Sequence, residues 1–372
     1  MKVLVTGAAG FIGRNLVERL RSSECPDVSE VLECTLDTSE QLFETYCAEC
    51  DFVFHLAGVN RPQDPSEFIE GNVDFTAKLL DTLKRVNPCP VLFSSSTQAA
   101  LDNAYGRSKR IAEDAVTAYG VATGAPVFVY RLPGVFGKWS QPNYNSVVAT
   151  FCHNIAHGLP IVVSDRATPL RLVYIDDVVR EFTSALGGET SKGQDGFCAV
   201  PVEYESTLGE IAALLEEFKA SRRDLSVPNM ADAFTKKLYS TYLSYLPIDA
   251  FSYPLDMKRD ERGSFTEIIR TPDRGEFSVN VVKPGITKGN HWHNTKNEKF
   301  VVVSGEGVIR LRKVGDETVV EYPVSGEKIE AVDIPPGYTH SIENLGAGDM
   351  VTFMWSSECF DPDRPDTHVL SV

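Results

Sequence analysis

Residues 1–16 read MKVLVTGAAGFIGRNL, and this stretch decides the fold of the first part of the chain. An apolar run that ends at Thr6 is followed by three glycines at three-residue spacing, and then by the apolar spacing of a helix. The glycines are Gly7, Gly10 and Gly13. The first permits a tight turn, the second lets backbone N–H groups approach a pyrophosphate, and the third lets the helix pack against the strand. The stretch therefore predicts a strand, a glycine-rich turn and a helix that together bind a dinucleotide.

Strands and helices alternate in the segments that follow. Asp51–Gly58 reads as an apolar strand that ends in small residues, and Phe75–Val86 has the spacing of a helix. The apolar run Val91–Phe93 then leads into three serines, Ser94–Ser96. Such alternation predicts a doubly wound parallel α/β sheet, with small residues leaving room for a cofactor at its carboxyl edge.

A tyrosine and a lysine four residues apart, Tyr105 and Lys109, form the next landmark. On a helix the two side chains share one face, so the ammonium lies beside the phenol. A fixed cation lowers the pKa of a phenol from about 10 toward neutrality, which suits a proton donor to a carbonyl group. A serine hydroxyl at the preceding strand end can hold the substrate oxygen. We therefore expect a carbonyl-reducing site with a lowered pKa at Tyr105; an ordinary surface helix is the alternative.

Composition argues against several classes of partner. The net charge of −16 over 372 residues disfavours nucleic acid and anionic membrane surfaces. The sequence shows neither a run of the ~18 apolar residues that a membrane span needs nor a leader, so we expect no membrane insertion. Eight cysteines lie scattered along the chain, which predicts reduced thiols and a cytoplasmic location. We interpret the C-x-x-C spacing of Cys47 and Cys50 as incidental.

Several segments resemble, in order, the landmarks of the extended short-chain dehydrogenases that act on nucleotide sugars. They are Thr6–Gly13, His55–Gly58, Ser94–Ser96, Tyr105–Lys109, Arg131–Gly137 and Val173–Val178. The resemblance implies a catalytic triad of Ser96, Tyr105 and Lys109, and a set of cofactor contacts around it. The implied cofactor-binding residues are Gly7, Gly10, Phe11, Ile12, Gly13, Arg14, Leu56, Ala57, Gly58, Tyr105 and Lys109. It also places Asn143 and Arg171 on the substrate side, where an arginine can hold a diphosphate; a structural or surface role is the alternative for both.

The choice of cofactor depends on two regions. Val31–Asp37 offers acids and no base, which favours a free ribose 2′-hydroxyl. Arg14 follows the glycine turn directly and can face a 2′-phosphate instead, although a solvated position in the first turn is equally compatible with the sequence. We expect NADPH, with NADH as the alternative.

The pattern changes after Pro247 and Pro254 to short β runs with Gly/Pro turns and without intervening helices. The runs are Phe277–Val282, Lys299–Val303, Gly307–Arg312, Val319–Tyr322, Lys328–Asp333 and Met350–Trp355. This spacing predicts a small barrel or jelly roll. We therefore place an NAD(P)-binding α/β reductase domain at residues 1–246 and a metal-binding all-β domain at residues 247–372.

Histidines are concentrated in this second part. His291 and His293 point to one face if they lie on a strand, and Glu298 and His340 can complete a site for Zn, Fe, Mn or a similar ion. The segments 291–305 and 335–344 resemble the two cupin motifs. The resemblance implies a cupin whose metal ligands are these four residues, with one divalent metal, zinc being the expected ion. A cupin that has lost its metal is the alternative.

A dehydrogenase followed by a cupin resembles a family of bifunctional capsular-polysaccharide enzymes. Further matching segments are Leu56–Pro62, Gly137–Trp139, Pro142–Val147, Leu238–Leu246 and Lys283–His293. The family implies that the cupin epimerises C3 of a UDP-2-acetamido-2,6-dideoxy-hexos-4-ulose and that the dehydrogenase then reduces the C4 ketone with NADPH. The product is then a UDP-2-acetamido-2,6-dideoxy-L-talose, en route to UDP-N-acetyl-L-fucosamine. The family also implies a homodimer.

The chemistry is coherent because the C3 proton of a 4-keto sugar is acidic. Its removal leaves an enolate, which a cation near the ketone oxygen stabilises. Lys288, Tyr338 and a metal-bound water remain open as the proton-exchanging group. One alternative is a plain nucleotide-sugar 4-reductase with a structural or substrate-binding cupin. Another is a dinucleotide-sensing regulator, which the intact Tyr105 and Lys109 disfavour.

Overall fold

A computed structural model describes residues 1–64 and 66–372, which form two compact units. The first comprises Met1–Glu216 and Ala231–Pro247, and the second comprises Glu217–Met230 and Ile248–Val372. The domain division after residue 246 stays a prediction. No helix among the residues described is long and apolar enough to cross a membrane.

A parallel five-stranded sheet forms the centre of the first unit. Its strands are β1 (Lys2–Thr6), β2 (Glu30–Cys34), β3 (Phe52–His55), β4 (Val91–Ser96) and β5 (Val127–Leu132), in the order β2-β1-β3-β4-β5. Side chains alternate between the two faces, so that Val3 and Val5 enter one hydrophobic cluster and Leu4 the other. Burial on both faces explains why the central strands β1, β3 and β4 contain continuous apolar runs, whereas the edge strand β2 carries Glu30 and Glu33.

Helices follow the strands. They are α1 (Phe11–Leu20), α2 (Glu40–Glu49), α3 (Phe75–Val86), α4 (Ala104–Thr123), α5 (Val147–Ala156), α6 (Ile175–Ser184), α7 (Leu208–Asp224) and α8 (Ala233–Leu243). A smaller sheet contains β6 (Gly134–Phe136), β7 (Pro169–Tyr174) and β8 (Tyr204–Thr207). Helix α4 begins where the Asn103 side chain accepts a hydrogen bond from Gly106 N at 2.8 Å. This cap places Tyr105 and Lys109 in the first two turns of α4.

Two antiparallel sheets make up the β-rich part of the second unit. The strands are β9 (Met257–Asp260), β10 (Gly263–Thr271), β11 (Gly275–Val282), β12 (Thr287–Trp292), β13 (Glu298–Ser304), β14 (Glu306–Lys313), β15 (Val319–Ser325), β16 (Ala331–Ile334), β17 (Tyr338–Asn344), β18 (Met350–Ser356) and β19 (His368–Val369). The sheet orders are β16-β13-β18-β11-β10-β9 and β15-β14-β17-β12-β19. The predicted fold class is confirmed: a Rossmann-type extended dehydrogenase domain is followed by an all-β cupin jelly roll.

Two predicted strands are longer than the observed ones, and the first is Asp51–Gly58, of which only Phe52–His55 forms a strand. The helix predicted at Phe75–Val86 is confirmed, and five of the six predicted β runs lie within observed strands. The strand predicted over Lys328–Asp333 is wrong in its first half, because the observed strand begins only at Ala331. Ile329 is exposed there, so its side chain does not belong to the alternating buried pattern.

The close packing of the glycine turn generates a stability prediction. A Cβ on Gly13 would lie 2.1 Å from Gly7 O and 2.9 Å from Ala8 Cα, both of which are backbone atoms that cannot move aside easily. We expect Gly13→Ala to lower the free energy of unfolding by about 1–3 kcal/mol, as overpacking does. Denaturant unfolding of the full chain measures this. The control is Gly187→Ala, whose Cβ would meet no described atom within 4 Å, and equal effects of both variants would contradict the prediction.

Candidate active site and candidate metal centre

The glycine turn joins the ends of three strands. Gly7 N and Ala8 N donate to Cys34 O at 3.0 and 3.3 Å, and a Cβ on Gly7 would lie 2.7 Å from Ala57 N. Gly7 also has a φ of +69°, which a side chain disfavours. Among the described side chains, none caps the N-terminus of α1. The exposed N–H groups and the space that side chains would fill fit the pyrophosphate of a dinucleotide.

A buried hydrogen-bond chain holds the segment after β3 in place. Thr6 Oγ1 accepts from Leu56 N and Ala57 N at 3.2 and 3.3 Å and lies 2.8 Å from His55 Nδ1. On the other side of the ring, His55 Nε2 lies 2.8 Å from Thr76 Oγ1, which donates to a backbone carbonyl. Burial, with a smaller effect of Lys109, lowers the pKa of His55 to about 3. The neutral imidazole therefore bridges β1 and α3 and positions the predicted cofactor segment.

The structure brings the three residues of the predicted triad together at the end of β4. Ser96 lies near enough to Tyr105 for its side chain to lower the pKa of the phenol, and the Tyr105 ring packs 5.6 Å from that of Phe68. Lys109 is buried, and its Nζ donates to Ser94 O at 3.0 Å. A Cβ on Gly58 would lie 3.1 Å from the same Nζ, so the cofactor segment passes directly over this lysine. The catalytic roles of the triad stay a prediction.

The expected lowering of the Tyr105 pKa is wrong for this structure. Burial raises the pKa of Tyr105, and the hydrogen bond with Ser96 offsets only part of that effect. Burial also lowers the pKa of Lys109, to about 8. Desolvation disfavours both charged forms, and it outweighs the attraction inferred from the spacing. Tyr105 is therefore protonated at neutral pH, which is the form that can donate a proton.

The three consecutive serines have different partners. Ser94 Oγ donates weakly to His55 O at 3.4 Å, and Ser95 Oγ donates to the buried Glu113. Glu113 also accepts two hydrogen bonds from Arg131, at 2.9 and 2.6 Å. Ser96 is half-buried, its Oγ accepts from Gln98 N at 3.2 Å, and it is the serine whose side chain lowers the pKa of Tyr105. The geometry therefore favours Ser96 as the serine that contacts a substrate oxygen.

Asn72 links the cofactor segment to α4. Its side chain is buried, accepts from Val59 N at 2.8 Å, and donates to Val59 O and to Ser108 Oγ, both at 3.0 Å. Ser108 precedes Lys109, so Asn72 fixes the spacing between the segment after β3 and the lysine. No motif or spacing in the sequence marks Asn72 as part of the site.

Arg14 lies at the surface in the first turns of α1. Its guanidinium stacks on the ring of Trp139 at 4.4 Å, and Lys138 Nζ lies 5.5 Å from the same ring. Trp139 has a φ of +69°, which a bulky residue adopts only where its surroundings hold it. A 2′-phosphate contact for Arg14 stays a prediction.

The two predicted substrate residues are both exposed. Asn143 has a φ of +56°, and its backbone N–H donates to Thr150 Oγ1 at 2.9 Å. Arg171 lies on β7 and forms an ion pair with Glu203 at 2.5 Å. Exposed pairs of this kind exchange partners at little cost, so the substrate role of Arg171 stays a prediction.

The four predicted metal ligands converge in the second unit. One ligand atom from each of His291, His293, Glu298 and His340 lies within 4.8 Å of all the others. Glu298 Oε2 is 3.4 Å from His293 Nε2 and 3.2 Å from His340 Nε2. His293 lies just beyond β12, and the pairing of β12 with β17 shifts between Gly289 and His291. The cluster thus forms although the two histidines do not share one regular strand.

The unsatisfied atoms of the cluster fit a metal ion. His293 Nε2, Glu298 Oε2 and both ring nitrogens of His340 are buried and have no hydrogen-bond partner in the part of the chain that the structure describes. Buried polar atoms are rarely left in this state unless an ion or water binds them. Neutral imidazole nitrogens and a carboxylate are ligands that Zn²⁺ and similar ions take. Burial, with smaller effects of its neighbours, lowers the pKa of His291 to about 4, so its ring is neutral at pH 7.

Asp366 supports the cluster from outside. Its carbonyl lies 2.5 Å from His293 Nδ1, and because a carbonyl only accepts, Nδ1 carries the proton. The Nε2 lone pair is therefore free to bind a metal. The Asp366 carboxylate accepts hydrogen bonds from the backbone N–H groups of Asn294, Thr295 and Lys296. Although burial alone raises the pKa of Asp366, these donors together lower it well below its usual range.

Three supporting residues could not be found from the sequence alone. They are Asn72, Glu113 and Asp366. Each acts on a residue far away in the chain, such as Asp366 on His293 and Asn72 on Ser108. A polar residue next to an apolar strand or in a loop carries no signal of such a distant contact.

Two family models and several known proteins match this chain. Residues 3–195 match the NAD dependent epimerase/dehydratase family, and residues 258–368 match the polysaccharide biosynthesis C-terminal domain. The chain is 45% identical over 373 residues to the UDP-2-acetamido-2,6-beta-L-arabino-hexul-4-ose reductase of Pseudomonas aeruginosa, covering 100% of this chain and 99% of that one. The predicted resemblance to the capsular-polysaccharide enzymes is confirmed by the structure comparison.

Solved structures extend the likeness over the whole chain. The crystal structure of the capsular polysaccharide assembling protein CapF from Staphylococcus aureus matches with a TM-score of 0.94 and 52% identity, covering 100% of both chains. The UDP-glucose 4-epimerase of Thermus thermophilus, in complex with NAD, matches with a TM-score of 0.54 and 20% identity, covering 66% of this chain and 99% of that one. At this level of identity, the second match shows only that the two proteins share a fold.

The orphaned atoms of the cluster generate a prediction about metal content. We expect the full-length protein to hold one divalent ion, and His340→Ala to release it, because three ligands rarely retain what four hold. Elemental analysis after dialysis measures the metal per chain. The control is His157→Ala, an exposed histidine outside the cluster. Equal metal content in both variants would contradict the assignment of His340 as a ligand.

Proposed function

This chain belongs to the NAD-dependent epimerase/dehydratase family, and from that premise we propose that it is a bifunctional nucleotide-sugar enzyme. The cupin epimerises C3 of a UDP-2-acetamido-2,6-dideoxy-hexos-4-ulose, and the dehydrogenase domain reduces the C4 ketone with NADPH. The product is a UDP-2-acetamido-2,6-dideoxy-L-talose for capsular-polysaccharide synthesis. One observation carries the proposal: a 4-keto sugar is acidic at C3 and accepts hydride at C4, and one chain contains a site suited to each reaction.

The reduction rests on the contacts around Tyr105. NADPH supplies the hydride that adds to C4. Ser96 holds the ketone oxygen through its hydroxyl, and Tyr105, which burial keeps protonated, donates its proton to that oxygen as the alcohol forms. We assign stabilisation of the phenolate left on Tyr105 to the Lys109 ammonium, which lies one helical turn further along α4 and donates to Ser94 O.

The choice of NADPH over NADH rests on Arg14. Its exposed guanidinium follows the glycine turn, and stacking on Trp139 holds it in one orientation. An arginine so placed can form paired hydrogen bonds with a 2′-phosphate.

The epimerisation rests on the cluster and its cavity. His291, His293, Glu298 and His340 would hold a divalent metal, which would supply positive charge to stabilise an enolate. The chain's own part is to fix the four ligands, through Asp366 at His293, and to provide a cavity of about 320 Å³ that reaches the cluster. Reduction of the epimerised ketone by the same chain then removes an intermediate that would otherwise revert at C3.

A plain 4-reductase is the second candidate, in which the cupin has only a structural or substrate-binding role. The buried, unsatisfied ligand atoms favour the bifunctional enzyme, since a purely structural barrel has no need for them. We further propose a cytoplasmic homodimer. The edge strand β15, which exposes Val319, Val320 and Tyr322, supports pairing with a second copy.

Tyr105→Phe tests the reduction. Loss of a positioned acid costs about 10²–10⁴-fold in rate, so we expect a fall of this size in NADPH oxidation with the UDP-4-keto sugar. NADPH affinity, measured by fluorescence titration, should not change. Tyr46→Phe, in α2, is the matched control and should keep the wild-type rate. Wild-type reduction by Tyr105→Phe would refute the triad.

Hydrogen exchange tests the epimerisation separately. In D₂O with the UDP-4-keto sugar and without NADPH, we expect the wild type to introduce deuterium at C3 faster than the uncatalysed blank. His340→Ala should exchange at the blank rate and keep its NADPH affinity, whereas His157→Ala should behave as wild type. NMR of the recovered sugar measures the deuterium. If the wild type does not exceed the blank, the plain reductase is the correct function.

A further inference from the structure

The cavity that reaches the metal cluster is also lined by cations. Its lining includes His291, Glu298 and His340 at the cluster, and Arg259, Arg262 and Lys288 toward the hairpin formed by β9 and β10. The volume of about 320 Å³ lies within the range of small-molecule sites. These three cations make part of the cavity lining positive, although the net charge of the chain is −16.

Two of the three cations have no carboxylate partner among the residues that the structure describes. Lys288 Nζ donates to Asn280 Oδ1 at 2.8 Å and to Val281 O at 3.1 Å, both of which are neutral. Arg259 is exposed, and its Nε contacts Met257 Sδ at 2.8 Å. A half-buried ammonium without a counter-ion is costly, so a site of this kind is completed by an anionic ligand.

The third cation neutralises the nearest acid. Arg262 binds Asp260 through two hydrogen bonds, at 3.0 and 2.6 Å, so this carboxylate does not repel an incoming anion. Lys288 is close enough to respond to both groups: burial lowers the pKa of Lys288, Asp260 raises it and Arg262 lowers it. Lys258 also lines the cavity, but Glu267 lies 3.8 Å from its ammonium and offsets it. Once these two ion pairs are set aside, two uncompensated positive charges line the cavity, those of Arg259 and Lys288.

We propose that Lys288, Arg259 and Arg262 form a diphosphate subsite of the cupin cavity, which selects the nucleotide-linked sugar over the free sugar. A diphosphate diester carries two negative charges, which match the two uncompensated cations, and guanidinium groups bind phosphate oxygens in pairs. The exposed Arg262–Asp260 pair opens at little cost when a phosphate competes for the arginine. The nucleotide-sugar identity rests on the proposed function, whereas the recognition of a diphosphate rests on the cavity alone.

This assignment gives Lys288 a binding role and not a proton-exchange role. Its ammonium is held by Asn280 and Val281, and it borders the same cavity as Arg262. The two roles are separable by kinetics. A binding residue changes the KM of C3 exchange, whereas a proton-exchanging residue changes kcat.

The first experiment measures where a diphosphate binds, without any turnover. The full-length protein is loaded with Mn²⁺ and dialysed, and UDP is followed by ³¹P NMR, because a paramagnetic ion broadens only nearby nuclei. The dehydrogenase unit contains none of the four cluster residues. His340→Ala, treated identically, shows how much of the broadening comes from metal bound elsewhere. We expect strong ³¹P broadening with the wild type and about tenfold weaker UDP binding for each of Arg259→Gln and Lys288→Met. Uridine should not compete.

Matched controls are Arg274→Gln and Lys283→Met, two exposed cations outside the cavity lining, which should bind UDP as wild type does. Absence of broadening with wild type, unchanged UDP binding in the cavity variants, or competition by uridine equal to that by UDP would overturn the subsite. These outcomes do not depend on epimerase activity.

The second experiment measures C3 exchange of the UDP-4-keto sugar in D₂O. We expect Lys288→Met and Arg259→Gln to raise KM about tenfold with kcat nearly unchanged. Loss of kcat at unchanged KM in Lys288→Met would overturn its binding role. If the ³¹P signals of UDP are broadened but the wild type does not exchange C3, the diphosphate subsite is supported and the proposed epimerase activity is refuted. If the wild type exchanges C3 but the ³¹P signals of UDP are not broadened, the epimerase activity is supported and the subsite is refuted.

Discussion

Burial of the Lys109 ammonium is the constraint on which the candidate active site depends. A buried charge is costly unless hydrogen bonds replace its water, and here the carbonyl of Ser94 at the end of β4 accepts from it. That bond ties the first turns of α4 to the end of β4. Tyr105, one turn earlier on the same face, is thereby held against Ser96. The buried side chains of Asn72 and Glu113 brace the two sides of this arrangement.

The metal cluster differs from the surroundings of Lys109 in how its buried polar atoms are satisfied. Around Lys109 the fold supplies partners for buried polar atoms, whereas in the cupin it leaves His293 Nε2, Glu298 Oε2 and the ring nitrogens of His340 without them. The rigid strands of the barrel and the carbonyl of Asp366 hold these atoms in place. Such atoms stay unpaired in a folded protein only where something else binds them. A metal bound by the four cluster residues would supply the partners that the fold itself does not.

Charge is distributed unevenly in a strongly acidic chain. Many exposed cations have acidic partners, such as Arg171 with Glu203 and Lys283 with Asp349. Arg259 and Lys288 border the cupin cavity and lack such partners among the residues described. A negative surface with a positive cavity steers an anionic ligand to the cavity, because the rest of the surface repels it. This contrast fits a ligand that carries a diphosphate.

The sequence by itself determined the features that depend on local periodicity and spacing. These include the strand, turn and helix around Gly7–Gly13, the helix Phe75–Val86, and the grouping of the four cluster residues. Only the tertiary structure decided the direction of the Tyr105 pKa, because burial outweighs a neighbouring charge and burial is a property of the packed molecule. It also decided that Ser95 donates to Glu113 whereas Ser96 lies near Tyr105. The sequence cannot distinguish these roles, because the three serines have identical side chains. The support of His293 by Asp366 joins residues far apart in the chain, and such contacts leave no local pattern to be read.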